Sequence, residues 1–327
     1  MRRTDRLSRR TLVVGALALI PSRAALAQAF PARPIRIVVP YPAGGPVDAL
    51  ARLLAQEMQS ARGWTVIVEN KAGASGAVGS REVARAEPDG HTLVLGTNQT
   101  HATNAFLLRE TGYDVVADFA PVAGLADLQH ALVVPKTSKA NTVAEFVAYA
   151  KANAGKLNYG SSGSGSASHL AMELFKSKAG IEAQHVPFRG AAPLATEIVA
   201  GRIDAAFATL PAVVSLVQAG EMRALAIASP RRAPLLPDVP TLQEQGIKGA
   251  EADAWIALFA PARTPGGTIV TLTAAATAAM GSANLSERAT AQGMVVNMRP
   301  GLAFRGFQQA EVDKWAEVAR AAKVTAE

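Results

Sequence analysis

The chain has 327 residues, with 33 Lys and Arg against 26 Asp and Glu, and no cysteine, which excludes disulfides, thiolate metal sites and a lipid anchor on cysteine. Residues 1–29 hold six of the basic residues and one acid, leaving 27 and 25 for the remainder, so the apparent basicity gives no electrostatic footprint for nucleic acid. Aromatic residues are only 5% of the chain and the bases are scattered, so no stacking platform for nucleobases is present either.

Residues 1–29 read as an export signal. Arg2, Arg3, Arg6, Arg9 and Arg10 precede the apolar run Thr11–Ile20. Ala25-Leu26-Ala27 and Ala27-Gln28-Ala29 each offer a small-x-small pattern, placing cleavage near Ala27 or Ala29. The apolar run is about half the roughly 20 residues that a membrane-spanning helix needs. Ser8-Arg9-Arg10-Thr11-Leu12 carries the paired arginines of a twin-arginine signal, though ordinary signals are also Arg-rich here. Every later apolar run is broken by glycine, proline or charge. The mature chain is therefore expected outside the cytoplasm and not embedded in a membrane.

The remainder is long enough for two domains. Ile35–Val39 predicts a buried strand, followed by a helix in which Val47, Leu50, Leu54 and Met58 recur at helical spacing. Thr65–Glu69 is a second strand, and His91–Gly96 a third after the Pro88-Asp89-Gly90 turn. Further strands are predicted at Ala131–Val134, Leu157–Tyr159, Gln184–Val186, Ala205–Ala208, Ala224–Ala228 and Trp255–Ala260. Thr142 and Glu145 form a capping box for one helix, and Gly201 closes another. Alternation of strands and helices predicts mainly parallel sheets flanked by helices. No flexible linker is evident, so the domains are expected to be joined by extended crossings near Ala123–His130 and Glu251–Phe259. That gives a discontinuous first domain, residues 30–127 plus 255–327, and a second of residues 128–254.

Ligands in open parallel sheets sit beyond the carboxyl ends of the strands. Three loops qualify. Tyr41–Asp48 has Gly44 and Gly45 for a tight path and Pro46 for a first helical turn, which suits either an anion at the helix start or a plain strand-to-helix turn. Tyr159–His169 is rich in serine and glycine; its hydroxyls and backbone donors could wrap a carboxylate, or Ser166 or Ser168 could simply cap the next helix. Gly96–His101 sets polar donors, Thr97 among them, directly after an apolar strand. Arg189 is a candidate anion partner or a lone surface arginine, and Asp204 a candidate orienting acid or one that holds its own turn.

Signatures of catalysis are missing. No serine of the Tyr159–His169 loop has glycines two residues away on both sides, so there is no nucleophile elbow. Gly163-x-Gly165 meets Ser168 where a dinucleotide fingerprint needs glycine, and the five histidines lack metal-ligand spacing. No cofactor, metal or catalytic residue is therefore assigned. A triad assembled from distant residues leaves a secreted serine hydrolase as a lesser alternative.

The segments Pro34–Asp48, Val68–Gly76, Pro88–Leu93, Leu157–Gly163, His185–Gly190, Gly201–Asp204, Leu236–Thr241 and Ala260–Pro265 together resemble the Bug family, the TctC-like substrate-binding subunits of tripartite tricarboxylate transporters. The resemblance runs over nearly all of the mature chain. It implies a two-domain periplasmic binding protein fold of type II (a Venus flytrap), acting as a periplasmic monomer that passes a small carboxylate to membrane transporter subunits. The ligand would be a di- or tricarboxylate, an acidic amino acid or an aromatic acid. A sensor feeding a two-component system is the alternative within this reading. The implied first-domain contacts are Pro42, Ala43, Gly44, Gly45, Asp48 and Thr97. Those of the second domain are Ser161, Ser162, Ser166, His169, Arg189, Gly190 and Asp204. Val47 and Phe188 stand where the family often has threonine and tyrosine, so hydrogen bonds from those hydroxyls are not expected here.

Overall fold

The computed structural model describes residues 30–324, so the expectations for the leader lie outside the described residues. Its strands are β1 (Ile35–Val39), β2 (Val66–Asn70), β3 (Thr92–Thr97), β4 (Phe119–Leu128), β5 (His130–Pro135), β6 (Asn158–Ser161), β7 (Gln184–Pro187), β8 (Ala205–Thr209), β9 (Met222–Ile227), β10 (Ala254–Pro261) and β11 (Met294–Pro300). The helices are α1 (Pro46–Arg62), α2 (Ala77–Ala84), α3 (Asn104–Leu107), α4 (Val143–Ala152), α5 (Ala167–Ala179), α6 (Ala191–Val199), α7 (Leu210–Gln218), α8 (Gly266–Met280), α9 (Ala283–Ala291) and α10 (Gly301–Ala321). A wide helical turn, Gln99–Thr103, leads into α3.

Local sequence accounts for most of these elements. In β1, Ile37, Val38 and Val39 are all buried, as expected where a sheet is covered on both faces. Along α1, Val47, Leu50, Leu54 and Met58 are buried at helical spacing. Gly63 then stops the helix in the left-handed conformation, where its N–H reaches the Gln59 carbonyl. Thr142 caps α4 by accepting the Glu145 N–H at 3.1 Å.

The strands form two sheets, ordered β11-β4-β10-β3-β1-β2 and β7-β6-β8-β5-β9. Pairing is parallel within β3-β1-β2 and β7-β6-β8, and antiparallel at the other five junctions. The sheets are thus mixed, whereas strand–helix alternation predicted mainly parallel pairing. The difference comes from the inter-sheet strands. β4 passes into β5 through Gln129 alone, and β10 brings the chain back, so each meets its neighbours in the opposite sense. Backbone bonds from Ala228 to His130 and from Ala252 to Ala228, both 2.8 Å, tie the crossings together.

Each sheet has its own apolar packing. Val38, Val94, Phe119, Trp255, Phe259 and Phe304 fill the first lobe. Leu132, Tyr159, Phe175 and Phe207 pack on one side of the second sheet, with Val133, Leu194, Ile198 and Val213 on the other. Helix α10 serves both lobes. Phe304 lies in the first cluster, and Trp315 and Ala319 in the second. Between them, Glu311 Oε2 accepts the indole N–H of Trp255 at 3.3 Å and of Trp315 at 2.9 Å. Leu107 of α3 makes a similar crossing and is buried in the second-lobe cluster.

Candidate functional site

Strand β1 delivers the Tyr41–Gly45 loop to the start of α1, where Pro42, Ala43 and Gly44 are exposed. The loop is braced from below by Asp48, only 3% exposed. Its carboxylate accepts the Gly44 N–H at 2.9 Å, Arg52 Nε at 3.0 Å and Asn70 Nδ2 at 3.0 Å. Asn70 also donates to the Tyr41 carbonyl at 3.1 Å. Burial pushes the Asp48 carboxyl up, but donors from Arg52, Gly44 and Asn70 outweigh it and leave its pKa below the ordinary value. Gly44 sits at φ +85° with open space where a side chain would begin, and Gly45 precedes the helix without a side-chain cap. The helix start and the loop backbone therefore face solvent with donor character. Thr97 closes β3 beside them, its hydroxyl 2.6 Å from that of Tyr41.

The second lobe presents its loop at the carboxyl ends of β6 and β7. Ser166 caps α5 by accepting the His169 N–H at 3.3 Å. Ser168 Oγ accepts the Ser162 N–H at 2.9 Å and lies 2.9 Å from the Ser166 hydroxyl. His169 Nδ1 accepts the Gly165 N–H at 2.9 Å, so its ring proton sits on Nε2. Burial, then His185 and Lys176, pull the His169 pKa down to about 3, and the ring is neutral at ordinary pH. It stacks on His185 at 3.7 Å between ring centroids. Backbone bonds from Phe188 to Ser161 (2.9 Å) and from Gly190 to Ser162 (3.1 Å) hold the Arg189 segment against the serine loop. Arg189 itself is exposed, and Gly190, at φ +110°, begins α6.

Ser161, Ser162, Ser166, His169, Arg189 and Gly190 thus share one end of the second sheet. Asp204 does not join them. It precedes β8, and its carboxylate accepts the Asn158 N–H at 2.7 Å at the opening of β6, the opposite end from Ser161. Parallel strands put Asp204 at the amino-terminal edge, so it holds that turn and is removed from the site. Asn70 and His185 brace these loops without having been singled out by spacing, because their partners lie far off in sequence.

Leu107 of α3 meets the serine loop, its side chain lying 2.7 Å from where a methyl on Gly165 would be. Between Ser75, Gln99, Asn104, Leu107, Ser164 and Gly165 the lobes leave a cavity of about 10 Å³, room for about one water. Ser161 Oγ approaches His185 Nε2 at 2.6 Å, but it also donates to the Gly163 carbonyl at 2.9 Å and is fully buried. A hydroxyl has one proton. With that proton on Gly163, His185 acts as donor and does not serve as a base toward Ser161.

The family described as the tripartite tricarboxylate transporter family receptor matches residues 50–324. Protein BugT of Bordetella pertussis is 34% identical over 295 residues, 90% of each chain. The solved structure of R. palustris Rpa4515 with adipate is 34% identical and superposes with a TM-score of 0.82, covering 91% of this chain and 100% of that one. MatC from Rhodopseudomonas palustris with bound malate gives 33% identity and a TM-score of 0.76 over 88% of this chain and 99% of its own. No helix among the described residues is long and apolar enough to cross a membrane. With its two mixed sheets flanked by helices and these relatives across its length, the chain belongs to the tripartite tricarboxylate transporter receptor family, the Bug family of solute-binding proteins.

Proposed function

We propose that this protein captures a small carboxylate in the periplasm, between a lobe of residues 30–127 and 255–327 and one of residues 128–254, and passes it to a membrane tripartite tricarboxylate transporter. The supporting observation is the loop pair at the sheet ends. The helix start behind Gly44 and Gly45 on one lobe, and the serine loop with neutral His169 and exposed Arg189 on the other, offer groups suited to an anion. Adipate and malate, the acids bound by the two solved relatives, are both dicarboxylates. Backbone donors and bridging waters would let one scaffold accept several acids. A micromolar affinity needs only about −8 kcal/mol, within reach of a handful of charge-assisted bonds at about 1.5–3 kcal/mol each. Closure follows if the ligand prefers the closed arrangement.

Calorimetry with mono-, di- and tricarboxylates on wild type, Gly44→Ala and Gly44→Asp tests the reading. Alanine meets only the left-handed backbone, about 1–2 kcal/mol. Aspartate adds a like charge and should weaken a bound carboxylate at least tenfold beyond alanine. Equal affinities for the two variants would remove the first-lobe loop from the site. Uptake of the identified acid should disappear when the gene is deleted; intact uptake would end the transport assignment.

A further inference from the structure

The serine loop between β6 and α5 spends nearly all of its donors on itself. Ser161 Oγ donates to the Gly163 carbonyl at 2.9 Å and accepts from the Gly163 N–H at 3.2 Å and from His185 Nε2 at 2.6 Å. A hydroxyl has one proton and two lone pairs, and Ser161 is fully buried, so none of it is left for a ligand. Ser168 takes the Ser162 N–H, and its hydroxyl lies 3.0 Å from that of Ser162 and 2.9 Å from that of Ser166. His169 takes the Gly165 N–H. Ser164 is the exception. Among the described residues neither its N–H nor its hydroxyl has a hydrogen-bond partner.

The direction of the Ser164 N–H is set by its own peptide. The Ser166 N–H donates to the Gly163 carbonyl at 3.1 Å, closing a turn with Ser164 second and Gly165, at φ +69°, third. A positive φ at the third position and not at the second marks a type II turn. The Gly163 carbonyl is thus held twice, by the Ser166 N–H and by the Ser161 hydroxyl. In a planar trans peptide the C=O and the N–H point opposite ways. Pinning the carbonyl inward therefore turns the Ser164 N–H away from the acceptors of its own loop. Ser164 is half-buried and shares with Ser75 and Gln99 of the first lobe the lining of the small gap between the lobes.

His185 holds the pin. It pairs with Tyr159 across β6 and β7, so it shares a sheet face with Tyr159 and with Ser161 two residues on. Its ring stacks on Tyr159 at 5.0 Å and on His169 at 3.7 Å, which leaves Nε2 against the Ser161 hydroxyl. We propose that the Ser164 N–H is a second-lobe donor to the bound carboxylate, and that His185 is a positioning residue that aims it by acting through Ser161. This rests on the carboxylate reading of the site and names the group of the serine loop that carries it. An ionised acceptor makes such a bond about twice as strong as a neutral one.

The test is amide exchange of the exported protein, read by NMR, alongside calorimetry with succinate, adipate and citrate. Without an acid the Ser164 amide should exchange at close to the open-chain rate, and saturation with an acid that binds should slow it at least about tenfold. Ser164→Pro removes the N–H at the turn position that favours proline, so its melting temperature should not fall, while its affinity should drop at least about tenfold. Ser164→Ala keeps the N–H and should bind within about threefold of wild type. His185→Phe keeps a ring without a donor; it should speed exchange of the Gly163 amide in the free protein and weaken binding about fivefold. His185→Gln, which sets a donor where Nε2 stands, should restore both. An unprotected Ser164 amide in a saturated complex, or equal affinities for the proline and alanine variants, overturns the donor assignment and leaves the receptor reading standing. Equal behaviour of His185→Phe and His185→Gln overturns the positioning role. If none of the three acids binds wild type, the receptor reading falls and this inference with it.

Discussion

Replacing Asp48 with asparagine separates two roles that a loop acid can have, ligand contact and loop brace. The carboxylate meets donors from Gly44, Asn70 and Arg52 at 2.9–3.0 Å on its two oxygens. An amide keeps one acceptor oxygen and turns an NH2 toward the donors left over. Arg52 is more than half exposed, so its share is screened to about 0–1 kcal/mol. Losing one charge-assisted bond to a sheltered donor costs about 1.5–3 kcal/mol. The expected loss for Asp48→Asn is therefore about 2–3 kcal/mol, read as a lower urea midpoint with unchanged slope and without any ligand present. The pH dependence has a defined sign. The folded pKa of Asp48 is depressed below 3.8, so its contribution is present above that value and is lost as pH falls through the folded pKa. The gap between wild type and Asp48→Asn should hence narrow in acid. A variant within about 0.5 kcal/mol of wild type that nevertheless loses carboxylate affinity would refute the brace and make Asp48 a direct contact.

Two further predictions concern the lobe contact and acid stability. Gly165→Ala, at φ +69° and against Leu107, should cost about 1–2 kcal/mol for the backbone plus a clash that holds the lobes apart. Adding Leu107→Ala should restore ligand affinity while lowering stability, and additive losses of affinity would show that the contact does not limit closure. Burial holds His101 and His169 near pKa 3 and His130 near 4, so the unfolded chain binds up to three more protons there below about pH 6.5, and stability should fall as pH falls. Asp253, raised to about 8, acts in the opposite sense between pH 4 and 8. These four groups together give a slope near pH 5 of about two protons, or roughly 2.7 kcal/mol per pH unit, steepening toward 4 in Asp253→Asn. A urea midpoint flat from pH 6.5 to 5 would contradict the neutral histidines.

Much of this organisation is legible in the sequence because it is local. The β1–α1 loop follows from an apolar run, paired glycines and a proline; Thr142 caps its helix as its spacing predicts. Strand β11 escapes the same reading, since Val295–Arg299 is half-buried at a sheet edge and shows no clean alternation. The antiparallel junctions are invisible because direction is set by which sheet a strand returns from, a property of the whole chain. Asp204 illustrates the converse. Its place before an apolar run already puts it at the amino end of a strand, the wrong edge for a site built at carboxyl ends. Brace residues such as Asn70 and stacked His185 are fixed only by contacts across the fold.

Helix α10 has a spectroscopic consequence. Two of the three tryptophans, Trp255 and Trp315, donate to one carboxylate oxygen of Glu311 while packing in different lobes. Both bonds lie within the first lobe, while Trp315 packs into the second-lobe cluster, so turning of one lobe against the other changes the surroundings of Trp315. The chain thus carries its own optical gauge: intrinsic emission from Trp315 is expected to follow lobe movement with no added label.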